Sequence, residues 1–267
     1  MDLSNPGIWS AFIAVLALIL SQLPPIRELI KGRKIKIIVP EMFMLSHVLG
    51  NIEISLSIDL HNNGGKFVSI AKLDLFFVDS QNIIWKLPAI TYFSRQQPPQ
   101  AGIPLQEFLL GSISLKPGDH WNETIHCYRI WSETEEEEVN EIQSKISKNI
   151  LQKRAALPPN APNVEADEKI VNEAKIFFEK LFNLHKGNYQ FIVACLSENE
   201  SIISVRGFEF TLFESNINAL RSQTEEYKYG FGIYIPMPFP TKIVRVRLKP
   251  IADNNQVRQV YERIHLR

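Results

Sequence analysis

The chain has 267 residues, with 29 Lys and Arg balanced by 29 Asp and Glu. A formal net charge of zero lacks the basic excess that marks a nucleic-acid binder. Only Cys127 and Cys195 are present, which excludes a disulfide-dense scaffold and fits a reducing compartment. They read as two small buried apolar residues, or as one bridge if the strands carrying them face each other.

The segment from Leu3 to Ile26 contains no charged residue, and Ile8 to Leu20 is apolar except for Ser10. A bilayer-crossing helix needs about 20 apolar residues, with roughly 17 as a lower limit. The pattern predicts a transmembrane anchor over residues 1–26, carried by Trp9, Phe12, Val15, Leu18 and Leu20. Pro24 and Pro25 would stop the regular helix near Leu23. A cleaved signal wants basic residues ahead of its apolar run, and Met1 to Asn5 supplies none. A peripheral or buried apolar helix is the other alternative.

Arg27, Lys31, Arg33, Lys34 and Lys36 follow the apolar run and no cation precedes it. By the retention of Lys and Arg on the cytoplasmic side, the expectation is a single-pass protein of the cell membrane. Its amino terminus would lie outside and its large domain in the cytoplasm. Residues 27–34 form a basic linker drawn to anionic headgroups by about 1 kcal/mol per charge. In a cytoplasmic domain the sequons Asn122-Glu-Thr and Asn199-Glu-Ser carry no meaning.

The rest, 35–267, reads as one domain. Short strands are predicted at Ile35 to Val39 and Met42 to Leu45, split by Pro40. Ile52, Ile54, Leu56, Ile58 and Leu60 alternate with polar residues, the period of a half-buried strand. Asn62 to Gly65 is turn chemistry, returning into Val68, Ile70, Leu73, Leu75 and Phe77 with a bulge after Ile70. Ile83 to Phe93 is a further strand weakened by Pro88, and Arg95 to Pro104 is a loop. Phe108 to Leu115 and Trp121 to Trp131 are strands joined by the Lys116-Pro117-Gly118-Asp119 turn.

At Ser132 the period changes. Ser132-Glu-Thr-Glu135 forms a capping box, acidic residues lie at the start and Lys153 and Arg154 at the end. Val139, Ile142, Ile146 and Ile150 make an apolar stripe. A second amphipathic helix is expected from about Glu165 to Leu184, with Gly187 as its C-cap. Tyr189 to Leu196 and Ile202 to Phe213 then form a hairpin. A short helix follows over Ser215 to Tyr227, and Val244 to Leu248 is a last strand with Arg245 and Arg247 on its wet face. The tail from Gln256 fits a strand or a helix.

The order of the strand bearing Asn63-Gly64, the Lys116-Pro117-Gly118 turn and the Gly187-Asn188-Tyr189 start of a late strand resembles an immunoglobulin-like β-sandwich. The resemblance covers about 35–131 and 188–214 and implies that 132–187 is a helical insertion into one sandwich. The fold expected is therefore mainly β with a helical insertion, behind a single transmembrane helix. The chain departs from antibody-type domains in lacking their Cys, Trp, Cys framework.

Several chemistries find no support in the residues. Gly230-Phe231-Gly232 lacks the third glycine and flanking elements of a dinucleotide site. Gly111-Ser112-Ile113-Ser114 sits within a strand and is no nucleophile elbow. His120 and His126 lie six residues apart along a strand, roughly 20 Å, too far for one metal. Glu135 to Glu138 is explained by the helix dipole. Tyr227, Tyr229, Phe231, Tyr234 and Phe239 form an aromatic segment suited to a contact surface if exposed.

The expectation is a non-enzymatic, membrane-anchored interaction or sensing module, without cofactor or metal. Its partners would be the lipid bilayer and a protein, and the span could mediate homo-oligomers. The alternative is a membrane effector in bacterial defence or stress whose span oligomerises to perturb the bilayer. A hydrolase whose residues meet only in the fold is a third reading.

Overall fold

The computed structural model describes residues 6–22, 31–80, 83–94, 106–158, 163–235 and 243–265. Thirteen strands and five α-helices are formed among them. The amino-terminal helix α1 runs over Pro6–Gln22, and its 17 residues span about 25 Å at 1.5 Å per residue. That is short of a hydrocarbon core of about 30 Å, and among the described residues no helix is long and apolar enough to cross a membrane. The single-pass anchor, and with it the outside-to-cytoplasm placement drawn from the flanking cations, is therefore corrected. Leu23, Pro24, Pro25 and Arg27 lie outside the described residues.

The immunoglobulin-like sandwich is corrected as well. Eleven strands form one continuous antiparallel sheet that nearly closes into a barrel, with β1 spanning Ile35–Ile38, β2 Met42–Val48, β3 Asn51–Asn62 and β5 Lys72–Asp79. The circuit continues through β6 (Ile84–Phe93), β9 (His120–Tyr128), β10 (Gly187–Leu196) and β11 (Ile202–Leu212). Its order is β12-β2-β3-β9-β6-β5-β10-β11-β13, where β12 is Val244–Arg247 and β13 Lys249–Pro250.

Two segments carry the sheet from one wall to the other. The first half of β6 pairs with β5 as far as Pro88 opposite Asp74, and its second half pairs with β9 from Ala89 opposite Cys127. The hand-over falls where Pro88 offers no N–H and the register shifts between Ala89 and Thr91. At the other corner, β12 pairs with β2 and β13 with β11. Leu248 between them donates to Glu41 at 2.7 Å. A sandwich has two separate sheets; here the segment 244–250 joins both edges.

The alternation of β3 is as expected, with Ile54, Leu56, Ile58 and Leu60 all buried and facing inward. The hairpin expected at Asn62 to Gly65 does not form. The Asn62 side chain instead donates to the Lys66 and Leu115 carbonyls at 2.9 and 3.0 Å and accepts from Gly64 N–H at 3.0 Å. The chain is thereby steered into β4 (Val68–Ile70), which pairs with β8 (Ile113–Leu115) in a separate two-stranded sheet. β7 (Glu107–Leu109) extends the edge beside β6. Most of the loop expected at Arg95 to Pro104 lies outside the described residues.

Inside the barrel, Phe43, Phe77, Phe191 and Phe210 pack ring against ring at centroid separations of 4.9 to 5.9 Å. Cys127 and Cys195 are free and buried among these core residues. One end is covered by α2 (Glu133–Ala155), α3 (Glu168–Leu181), α4 (Glu214–Arg221) and the 3₁₀ segment Ser222–Tyr229. The Ser132 capping box is formed as expected. The expected cap at Gly187 is corrected, because α3 ends earlier, at Leu181, and is capped by Phe182, whose N–H bonds the Phe178 carbonyl.

The tail resolves into a helix, α5, over Asn254–His265. The cause lies in β5 and β10, which are apolar on both faces over part of their length. Phe76, Ile192, Ala194 and Leu196 point outward and need cover, and Val257 and Tyr261 of α5 supply it in a second core cluster. Tyr261 meets Phe76 edge to face at 5.4 Å.

Candidate functional site

Three regions bear on function. The first is α1, none of whose described side chains contributes to either core cluster. Trp9, Phe12, Val15 and Leu18, four of the predicted anchor residues, are 54%, 60%, 55% and 64% exposed, and Ile13 and Leu16 are exposed beside them. Apolar groups therefore face solvent around the helix, where Trp9 and Phe12 touch only edge to face at 6.3 Å. Of the predicted basic residues, Lys31, Arg33, Lys34 and Lys36 are exposed.

The second is the predicted aromatic contact segment, which the fold largely absorbs. Tyr227 is fully buried, and Tyr234 packs partly buried against the core. Tyr229 donates to Glu165 at 2.8 Å and meets Phe231 ring to ring at 6.5 Å. Phe239 lies outside the described residues. Burial drives the Tyr227 phenol far above its ordinary value. These rings anchor the 3₁₀ segment to the helical cap and do not form one exposed patch.

The third was not anticipated as a site. α5 covers only part of the outward face of β10 and β11, and the uncovered part is a cleft of about 900 Å³. Its floor carries Asn188, Gln190, Glu209 and Thr211, outward-facing residues of two paired strands. The Thr211 hydroxyl donates to Asn188 Oδ1 at 2.7 Å. One wall is the closing strand pair, where the period of two sets Arg245, Arg247 and Lys249 on the outer side. The opposite wall is α5, with Val260, Arg263 and Ile264.

The charges in this cleft are unequal in their engagement. Arg247 pairs with Glu41 at 3.2 Å. Asp79, at the inner edge, accepts from Ile83 N–H at 2.7 Å and lies 3.5 Å from His185 Nε2. Arg263 Nε reaches only the Gln259 carbonyl, at 3.4 Å. Among the described residues no carboxylate forms an ion pair with Arg245, Lys249 or Arg263, and Glu209 has none with a cation.

The histidines singled out from the sequence go separate ways. His120 stacks on His61 across β3 and β9 with centroids 5.5 Å apart. His126 sits between Glu53, at 3.6 Å, and Glu107, at 3.3 Å, flanked by Phe93 and Tyr128. Burial lowers its affinity for a proton, but the hydrogen bonds and charges of the two carboxylates outweigh that, and its pKa is raised. Thr91 donates to Glu107 and holds it in place. Among the described residues no group of three or more potential ligands could hold a metal ion.

No family model, curated protein or solved structure matches this chain.

Proposed function

We propose that this protein is a non-enzymatic interaction module that attaches to an anionic lipid surface through α1, without α1 traversing it, and presents the barrel to further partners. The observation that carries the reading is the exposure of Trp9, Phe12, Ile13, Val15, Leu16 and Leu18 on a helix whose described side chains pack in neither core cluster. A helix apolar on all sides is stable only when surrounded by apolar material, and each such side chain gains about 1.5–3 kcal/mol on burial. Lys31, Arg33, Lys34 and Lys36 give the charge complement, worth about 1 kcal/mol each beside anionic headgroups. At about 25 Å, α1 can lodge among acyl chains without emerging.

Flotation of the full chain with vesicles tests this. Wild type is expected to rise with phosphatidylserine-containing vesicles and less with purely phosphatidylcholine ones. Val15→Asp with Leu18→Asp should leave the protein in the dense fractions while the thermal melt of the barrel is unchanged. A wild-type chain that stays dense with both vesicles, or a double variant that floats as well as wild type, overturns the proposal. So does turnover of a substrate by the barrel.

A further inference from the structure

The cleft between α5 and the closing strand pair is independent of the lipid reading, because none of its lining residues belongs to α1 or the basic segment. Its volume of about 900 Å³ lies within the range of small-molecule sites, about 300–1,000 Å³. Such sites combine apolar lining with a few convergent polar groups. Here Val260 and Ile264, partly buried against the second core cluster, line the helix side together with Arg263, while Arg245 and Lys249 line the side of the closing strands.

We infer that this cleft binds a small organic phosphate. Two arginines and a lysine, all exposed and without carboxylate partners among the described residues, line the same cleft and bring positive charge to it. A guanidinium fork matches phosphate oxygens in a bidentate manner. Inorganic phosphate alone would leave Val260 and Ile264 uncovered, so the ligand carries an organic body. Glu209 and Gln190 on the floor are acceptors for hydroxyl or amino groups of that body, and Glu209 repels a second anionic centre. The cleft thus selects one charged end and one hydrogen-bonding, partly apolar end.

Calorimetric titration of the full chain with four probes tests the inference: AMP, ribose 5-phosphate, glycerol 3-phosphate and 1-naphthyl phosphate. At least one is expected to bind with Kd below about 1 mM. Its dephosphorylated parent should bind at least about fivefold more weakly, and inorganic phosphate likewise. Arg245→Gln with Lys249→Gln should weaken binding by about fivefold or more, whereas Arg258→Gln, whose side chain pairs with Glu262 and does not line the cleft, should not. Since Arg245 and Lys249 sit on the strand pair that closes the barrel, Arg263→Gln on α5 provides the same arm if the double variant fails to fold. Binding of none of the four below about 1 mM overturns the inference. So does a parent that binds as tightly as its phosphate, or a folded cleft variant that keeps its affinity to within less than about fivefold.

Discussion

Gly207→Ala probes the seat of α5, on which one wall of the cleft depends. A Cβ at position 207 would lie 2.4 Å from Val257 Cγ2, 2.9 Å from Cγ1 and 3.2 Å from Cβ. Carbon atoms pack at about 3.5–4.0 Å, so the helix must retreat by about 1 Å along that contact. Overpacking of this kind costs about 1–3 kcal/mol, offset by a few tenths to about 1 kcal/mol for replacing glycine in a chain that must be ordered. A net loss of about 1–2 kcal/mol is expected in urea unfolding followed by circular dichroism. Val257→Ala removes two buried methyl groups and should cost about 2 kcal/mol. It also removes the two nearest obstructing atoms, so the double variant should fall short of the summed losses by about 1 kcal/mol or more. A neutral or stabilising Gly207→Ala, or losses that add within about 0.5 kcal/mol, would refute the close approach of α5 to β11.

Arg129 binds Glu135 at 2.8 Å and, with bonds from Ser132 and against partial burial, holds its carboxyl down at about 2 from an ordinary 4.5. A depressed carboxylate stabilises the fold above its unfolded pKa, so this contribution should fade as pH falls from about 4.5 toward about 2. Comparing Glu135→Gln with wild type by urea unfolding across that window should show the difference shrinking. Ser132→Ala, which removes the N-cap acceptor of α2, should cost about 1 kcal/mol at neutral pH. His126 should titrate above about 6.5 by NMR, and Glu53→Gln should bring it down. Since its folded pKa is raised, its stabilising share is complete below the unfolded value and lost as pH rises through the folded one. Cys127 and Cys195 are buried, and burial pushes the Cys195 thiol up to about 12. Both should react with a thiol reagent only after unfolding, with no reaction on mixing the native chain.

What the sequence reveals here is local, and what it hides is long-range pairing. The alternation of Ile52 to Leu60 fixes the inward face of β3 regardless of its partners, and the Ser132-Glu135 pair fixes the start of α2 through bonds three residues apart. By contrast, the Asn62 to Gly65 segment has hairpin chemistry but its amide is claimed by Leu115, a residue from another part of the chain. Barrel closure needs Val244 beside Leu45 and Lys249 beside Glu209, and no local pattern encodes either contact. The segment Leu3 to Ile26 is apolar, but apolarity alone does not make a span: its described helix, Pro6–Gln22, has 17 residues, and among the described residues no helix is long and apolar enough to cross a membrane. One signal for the cleft was present. The unbroken apolar run Phe191 to Leu196 marks a strand buried on both faces, and so demands a covering element. The spacing of Val257, Val260, Tyr261 and Ile264 supplies one.

The same two elements complete the barrel and build the cleft, which ties the two together energetically. The segment 244–250 directs Val244, Val246 and Leu248 into the core and Arg245 and Lys249 outward. α5 directs Val257 and Tyr261 onto the sheet and Arg263 toward the cleft. Outward, the same elements set their cations around one space. The four-residue β12 and two-residue β13 are short ladders with few hydrogen bonds to hold the closure. An anion bridging Arg245 and Lys249 to Arg263 would screen their mutual repulsion and link the closing strands to the covering helix. An anion that required this arrangement of cations would stabilise the closed form by mass action, as RT ln(1 + [L]/Kd). On the inference drawn above, the position of the cleft at the closure of the sheet would make its occupancy a direct term in how firmly the barrel holds shut.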